Sequence, residues 1–234
     1  MAGEILVIKF LKFLIAFLLL PSIAWAVAEG VRIFGPVLGH YQTAWPFFVG
    51  CALYPILHYT LYDFSRPYVF VHEMTHALCA WLCGYKVTKI SIKKNDGYVK
   101  MNKTNTFVVL APYFIPGYLL ATALIYVVCS WATDVTPYRP YVLGLIGFFL
   151  SFHFVQTFCT LWEADQPDLE LAGGKMFSLV SIVLANLFIL ALVLKMLYPQ
   201  EVHLRTALVN VGKGTLTTWR IIVDYIIEWL INIL

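Results

Sequence analysis

Apolar stretches long enough to cross a bilayer recur from one end of the chain to the other. The 234 residues are 61% hydrophobic and only 12% charged, about half the charged fraction of a typical soluble domain. A helix needs roughly 17–25 apolar residues to cross the hydrocarbon core of a bilayer, and the stretches repeat at this length. The pattern predicts an all-α polytopic membrane protein with about six transmembrane helices, over residues 5–27, 45–62, 68–83, 107–131, 141–162 and 176–198.

Two segments depart from this pattern. After Gly84, apolar and polar residues alternate on both sides of Asp96-Gly97, which predicts a short β-hairpin directly after the helix over 68–83. Near the C-terminus, polar residues recur at spacings of three and four, which predicts an amphipathic helix in the membrane interface or, alternatively, a seventh helix facing a partner. We therefore expect one transmembrane domain over 1–202, with its core at 68–198, and a C-terminal interfacial helix over 203–234.

The distribution of charged residues limits the classes of partner and predicts how the protein is oriented in the membrane. The net charge of +3 is small and the basic residues are scattered, which argues against nucleic acid and leaves the lipid bilayer as the main environment. The hairpin is the exception, because one acidic residue, Asp96, faces six lysines in and beside it. The positive-inside rule then predicts that the hairpin lies on the cytoplasmic side of a multi-pass protein. We expect the membrane to be a bacterial inner membrane, although the charges do not distinguish it from an organellar one. The lysines are Lys86, Lys89, Lys93, Lys94, Lys100 and Lys103.

One apolar stretch contains an HExxH motif, formed by His72, Glu73 and His76. Positions four apart lie on one face of a helix, so both imidazoles can bind the same metal ion. The glutamate between them is placed to act on a metal-bound water rather than to ligate. Three ionisable groups within five residues are costly to keep in hydrocarbon without a function. The motif therefore predicts a zinc centre with Glu73 as the catalytic base.

The motif leaves Zn²⁺ one protein ligand short of a catalytic site. Asp168 is the first choice, because a carboxylate is the hard anionic donor that a two-histidine site commonly adds; Asp165 and His153 are the alternatives. Zinc lowers the pKa of a bound water to about 7, so Glu73 could accept its proton and return it to a leaving amine. Amide hydrolysis is the reaction that uses every one of these groups.

These residues resemble the site-2 proteases, intramembrane zinc metallopeptidases that cleave membrane-spanning substrates. The resemblance is most specific over residues 70–92, where HExxH is followed by small and apolar residues, a glycine and a strand. It implies that His72, His76 and a downstream aspartate, matched here by Asp168, bind zinc, and that Glu73 is the catalytic glutamate. The usual Leu-Asp-Gly ligand motif is replaced by Gln-Pro-Asp, and no segment is long enough for a PDZ domain. The chain is thus expected to be a divergent, PDZ-less member.

The same resemblance implies a membrane-protein substrate, cleaved in or near its membrane-spanning segment. Proteolysis needs an extended backbone, so the hairpin is expected to bind the substrate as an added strand through Ile90 and Ile92. Asn186 is a further candidate for substrate binding, and its other interpretation is a polar contact between helices. The alternative function is a catalytically silent zinc-containing scaffold or transporter subunit, which would have no need of Glu73.

Overall fold

The structure, a computed structural model, describes residues 2–94, 96–163 and 166–233. Nine α-helices and one two-stranded antiparallel sheet account for most of this part of the chain, and two short 3₁₀ turns precede α5 and α6. In chain order the helices and strands are α1 (Ala2–Gly39), α2 (Tyr41–Thr60), α3 (Ser65–Leu82), β1 (Val87–Ile92), β2 (Gly97–Met101), α4 (Thr106–Leu110), α5 (Gly117–Ala132), α6 (Arg139–Glu163), α7 (Pro167–Ala172), α8 (Lys175–Leu197) and α9 (Leu204–Ile233). The predicted helical class and the hairpin after the HExxH helix are confirmed.

Three stretches of helix in the described chain are long and apolar enough to cross a membrane, namely Leu6–Gly39, Thr136–Trp162 and Lys175–Leu197. A fourth is obtained if the bent pair Thr106–Tyr113 and Gly117–Ala132 is counted as one span. The chain is thus a membrane protein with three or four candidate spans. The predicted number of six is not confirmed, because α2 and α3 form as helices but are too polar to qualify.

The chain divides into two compact units, and the first contains residues 1–39 and 173–234. Within it, α9 packs antiparallel to α1: the indole of Trp219 donates to the carbonyl of Leu18, Ser22 is hydrogen-bonded to Thr215, and the amide of Asn210 donates to Glu29. Gly214 leaves room for the Trp25 ring, which a side chain at that position would meet. Asn210 and Thr215 therefore face α1, while residues 220–233 are exposed. The predicted interfacial placement of this helix stays a prediction.

The second unit contains residues 40–172 and is organised around the α2–α6 pair. Small residues allow these two helices to approach closely. A Cβ at Gly50 would meet the backbone of Gly144, and a Cβ at Gly147 would meet the backbone of Phe47. Next to this contact, Tyr54 of α2 is fully buried among aromatic rings that include Phe152 of α6. Tyr68 of α3 packs into this same cluster.

The hairpin begins where α3 ends. Gly84 adopts a positive φ of 73°, and the backbone N–H of Tyr85 donates to the carbonyl of Ala80, which closes the helix with a left-handed residue. The tip of the hairpin is attached to the α2–α3 loop by an ion pair of 3.1 Å between Lys94 and Asp63. Hydrogen bonds from Ser65, followed by the contact with Lys94, lower the pKa of Asp63 to about 2. The carboxylate is therefore charged at neutral pH and can hold the hairpin near the start of α3.

Prolines break the next helix. The two halves of the broken pair, Thr106–Tyr113 and Gly117–Ala132, meet at an angle of 81°, with Pro112 and Pro116 at the bend. Proline has no N–H, so each of them removes one backbone hydrogen bond of a continuous helix. Broken helices at membrane depth are tolerated where they line a cavity, and this one packs against α3.

Candidate metal centre

His72, His76 and Asp168 are brought together by α3 and α7. Their potential ligand atoms all lie within 4.8 Å of one another, and within the described part of the chain they are the only such group of histidine, cysteine or acidic residues. Oδ2 of Asp168 lies 3.7 Å from Nε2 of His72 and 3.4 Å from Nε2 of His76. Two ligands on a tetrahedral zinc ion with bonds of about 2.05 Å lie about 3.3 Å apart. The donor set and its spacing therefore fit Zn²⁺.

The orientation of His76 follows from the break in the neighbouring helix. Its Nδ1 lies 2.8 Å from the carbonyl oxygen of Val108. A carbonyl can only accept, so Nδ1 carries the proton and Nε2 keeps the lone pair that binds a metal. In a continuous helix the N–H of residue 112 would donate a hydrogen bond to this carbonyl. Residue 112 is proline, so the carbonyl of Val108 is left available for the histidine.

His72 is oriented by a side chain of its own helix. The Tyr68 hydroxyl lies 3.2 Å from Nδ1 of His72, and the Tyr68 ring packs in a buried cluster with Phe152 of α6. For Nε2 of His72 to face Asp168 as a ligand, Nδ1 must donate to the hydroxyl of Tyr68. Each imidazole thus has a hydrogen-bond partner at its Nδ1, and Tyr68, the partner of His72, is held in place by its packing against α6.

The carboxylate of Asp168 is held by a buried tyrosine. The Tyr113 hydroxyl donates to Oδ2 of Asp168 at 3.0 Å, and the Tyr113 side chain is fully buried. Its ring also lies edge-on to the His72 ring, with centroids 5.1 Å apart. Tyr113 comes from the 3₁₀ turn Ala111–Tyr113 at the helix break. The broken helix therefore provides the Val108 carbonyl that accepts from His76 and the Tyr113 hydroxyl that donates to Asp168.

Glu73 is 7% exposed and lies directly beneath the start of β2. An ideal Cβ at Gly97 would lie 2.6 Å from Cγ and 2.8 Å from Oε1 of Glu73, and 2.8 Å from a methyl group of Val69. Real Cβ atoms do not approach other atoms so closely, so the hairpin backbone can rest on Glu73 only because residue 97 is glycine. This contact places the edge of the sheet next to the predicted base.

The candidate ligands and Glu73 line a cavity of about 700 Å³. The hairpin contributes β2 to its lining, through Gly97, Tyr98, Val99 and Met101, and the opposite elements contribute polar side chains from α2, α6 and the segment before α7. Among the described strands, β2 pairs only with β1, so its other edge has no strand beside it. The cavity is large enough for several residues of an extended peptide and is lined on one side by an open strand edge.

None of the other predicted site residues that the structure describes belongs to this ligand group. Asp165 is outside the described residues. His153, the other alternative ligand, is buried on α6 and is not part of the ligand group. Ile90 and Ile92 are on β1 and do not line the cavity. Asn186 is on α8, in the unit that does not contain the candidate ligands, and its amide donates to the carbonyl of Ile182. Substrate binding by these three residues stays a prediction.

Three residues that contribute to this site were not among the predicted site residues, namely Tyr68, Tyr113 and Gly97. Tyr68 could have been found, because it precedes His72 by one helical turn and therefore lies on the same face. Tyr113 and Gly97 had weaker signals. One lies between two prolines at a helix break, and the other is the glycine of a turn. Both become important only through contacts with residues far away in the sequence.

Residues 47–162 match a protein family model described as Peptidase M50B-like. The matched segment contains the HExxH helix, the hairpin, the broken helix and α6. Asp168 lies just beyond it. No curated protein and no solved structure gives a significant match.

Proposed function

Because the chain belongs to the Peptidase M50B-like family, as its resemblance to the site-2 proteases predicted, we propose that it is a zinc-dependent intramembrane protease. It hydrolyses a peptide bond in or near the membrane-spanning segment of a substrate protein. The observation that carries the proposal is the convergence of His72, His76 and Asp168 beside a buried glutamate in a cavity of peptide size. Zinc is the cofactor that fits these ligands.

Each group at the site has a task in amide hydrolysis. Zinc, when bound, supplies a Lewis acid and acidifies the attacking water. Glu73 accepts the proton of that water at its carboxylate and delivers it to the nitrogen of the leaving amine. Tyr113 keeps Oδ2 of Asp168 pointed at the two imidazoles, and Tyr68 and the Val108 carbonyl keep their Nε2 atoms pointed at Asp168. The proline-broken helix closes the site from one side.

The hairpin is the proposed docking element for the substrate. The sequence analysis placed the contact on β1, at Ile90 and Ile92, whereas the cavity is lined by β2. A substrate segment that adds to the open edge of β2 would lie over Glu73, because Gly97 at the start of that strand touches the glutamate. Main-chain hydrogen bonds along the edge would then hold the peptide extended.

The membrane arrangement is part of the proposal. Helices of 20 and 18 residues, as found for α2 and α3, are about 30 and 27 Å long at 1.5 Å per residue, which suffices to cross the hydrocarbon core. Counting both gives the six spans that the sequence predicted. The lysine-rich hairpin would face the cytoplasm of a bacterial cell, and reporter fusions in the loop between α5 and α6 and at the C-terminus would test this orientation.

The proposed function is tested by zinc content and peptide cleavage measured on the same detergent-purified proteins. Wild type and Glu73→Gln should each contain about one zinc, and His76→Ala and Asp168→Ala should contain none. Cleavage should be lost in all three variants. Asp165→Ala should retain both properties. Zinc that survives Asp168→Ala would reject Asp168 as a ligand. Zinc in wild type without cleavage of any membrane-protein substrate would favour the silent scaffold.

A further inference from the structure

The cavity has a second polar wall, formed mainly by α6. Gln156, Cys159 and Thr160 follow one another at helical spacing and line the same space as the candidate metal ligands. Of these three residues, Gln156 has the most polar side chain, with both a donor and an acceptor group.

Gln156 is 5% exposed, and its amide is held in a fixed position. Its Nε2 donates to the Tyr54 hydroxyl at 2.7 Å, and Tyr54 is itself immobilised in the aromatic cluster between α2 and α6. A primary amide has two N–H donors and a carbonyl oxygen. Among the described residues, Tyr54 is the only hydrogen-bond partner of this amide, so one N–H and the carbonyl are left for a molecule in the cavity.

This amide is close to the proposed reaction centre. Gln156 and Thr160 are four residues apart on α6, so they share a face and are separated by about one helical turn, 5.4 Å. Both line the same cavity as Tyr68, whose hydroxyl lies 3.2 Å from Nδ1 of His72. The amide therefore lines the same space as a candidate metal ligand.

A peptide that leaves its helix inside a membrane must find new hydrogen-bond partners. Each unsatisfied N–H or C=O in hydrocarbon costs several kcal/mol, and the edge of β2 can pair with only one side of an extended segment. The other side points away from the sheet. A primary amide presents a donor and an acceptor side by side, as a neighbouring peptide group would.

We propose that the Gln156 amide binds the main chain of the unwound substrate segment, accepting from one peptide N–H and donating to one peptide C=O. Tyr54 is the positioning residue that fixes the amide. The inference rests on the proposed function of the cavity, and it assigns α6 a direct part in binding unwound peptide. Hydrogen bonds to the main chain do not depend on the side chains of the substrate. The Gln156 contact would therefore favour segments whose helix unwinds easily, whatever their sequence.

Binding can be measured without catalysis in the Glu73→Gln background. The probe is a fluorescent peptide with an apolar segment of about 20 residues, interrupted by a central Asn-Gly pair, in detergent micelles. Gln156→Leu should weaken its binding by more than about tenfold, since it removes both hydrogen bonds to the peptide and a single one is equivalent to about tenfold. Tyr54→Phe should weaken it less, because the amide remains but is no longer fixed. Thr157→Val is the matched control, since its buried hydroxyl has no hydrogen-bond partner among the described residues and the variant should bind as before.

Peptides that carry a single backbone N-methyl group separate binding from a structural effect. With Gln156 present, methylation at one central position should cost about tenfold in Kd. In Gln156→Leu the same methylation should cost less than twofold. Equal losses at every position in both proteins, or unchanged binding by Gln156→Leu, would overturn the inference. A binding difference without cleavage by zinc-loaded wild type would support the inference and contradict the proposed protease activity.

Discussion

The main chain of Gly97 rests on the side chain of Glu73, so that the hairpin and the predicted base have no room between them for a single methyl group. This contact joins a strand that lines the substrate cavity to the group that moves the proton. It also makes residue 97 a sensitive probe of the proposed reaction, because a change there displaces the base without touching the three candidate ligands.

Gly97→Ala is therefore expected to retain zinc and to lose activity. The new methyl group must displace either Glu73 or the start of β2, and a displacement of about 1 Å at a catalytic group can cost 100-fold in rate. The measurement is kcat beside zinc content. Gly212→Ala is the control, because a Cβ at that position meets nothing within 4 Å, and its activity should match wild type. Loss of zinc from Gly97→Ala would show that the hairpin supports the metal ligands instead.

Tyr113→Phe tests the hydrogen bond that holds Asp168. Without the hydroxyl, the carboxylate can rotate, and loss of a group that orients a metal ligand typically lowers metal affinity or activity 10–100-fold. We expect zinc affinity to fall about tenfold, measured by competition with a chelator. Tyr118→Phe removes a comparable hydrogen bond, from Tyr118 to the carbonyl of Pro67, and should leave zinc affinity unchanged. Equal effects of the two substitutions would point to a general loss of packing.

Pro112→Ala should weaken zinc binding although residue 112 is not itself a ligand. The alanine supplies an N–H that can bond the carbonyl of Val108, in competition with His76. The histidine then loses the partner that fixes its tautomer, with an expected loss of about tenfold in zinc affinity. Pro116→Ala restores a donor one turn later, away from Val108, and should bind zinc as wild type does. Unchanged affinity in Pro112→Ala would mean that the helix break persists without proline.

The α1–α9 register predicts a specific cross-link. Ser22 and Thr215 have side-chain oxygens 2.9 Å apart, so Ser22→Cys with Thr215→Cys should form a disulfide on mild oxidation. Thr217 is exposed, so Ser22→Cys with Thr217→Cys should not. Mass spectrometry of the tryptic peptides reads out both. A helix that lies flat in the membrane interface, away from α1, would give neither cross-link.

The HExxH helix and the hairpin were predictable because each follows from neighbours in the sequence. The pairing of Asp168 with the two histidines was a choice among three residues, and the short helix α7 that places Asp168 beside them had no periodicity to reveal it. The end of the chain shows another limit. The predicted polar stripe, formed by Thr217, Arg220, Asp224, Glu228 and Asn232, is exposed along its whole length. The contacts with α1 are made by Thr215 and Thr218, which lie outside the stripe and had no signal in the spacing.

The missing N–H of Pro112 has an energetic consequence for His76. The two residues are far apart in the sequence and are linked through the carbonyl of Val108. Pro112 has no N–H to donate to this carbonyl, and His76 donates to it instead. Substitutions at 76 and 112 should therefore be non-additive in their effect on zinc affinity. Once His76 is replaced, Pro112→Ala should have little further effect on the metal. Pro112 would then be thermodynamically coupled to the metal site, because its missing N–H leaves the carbonyl of Val108 available to the ligand His76.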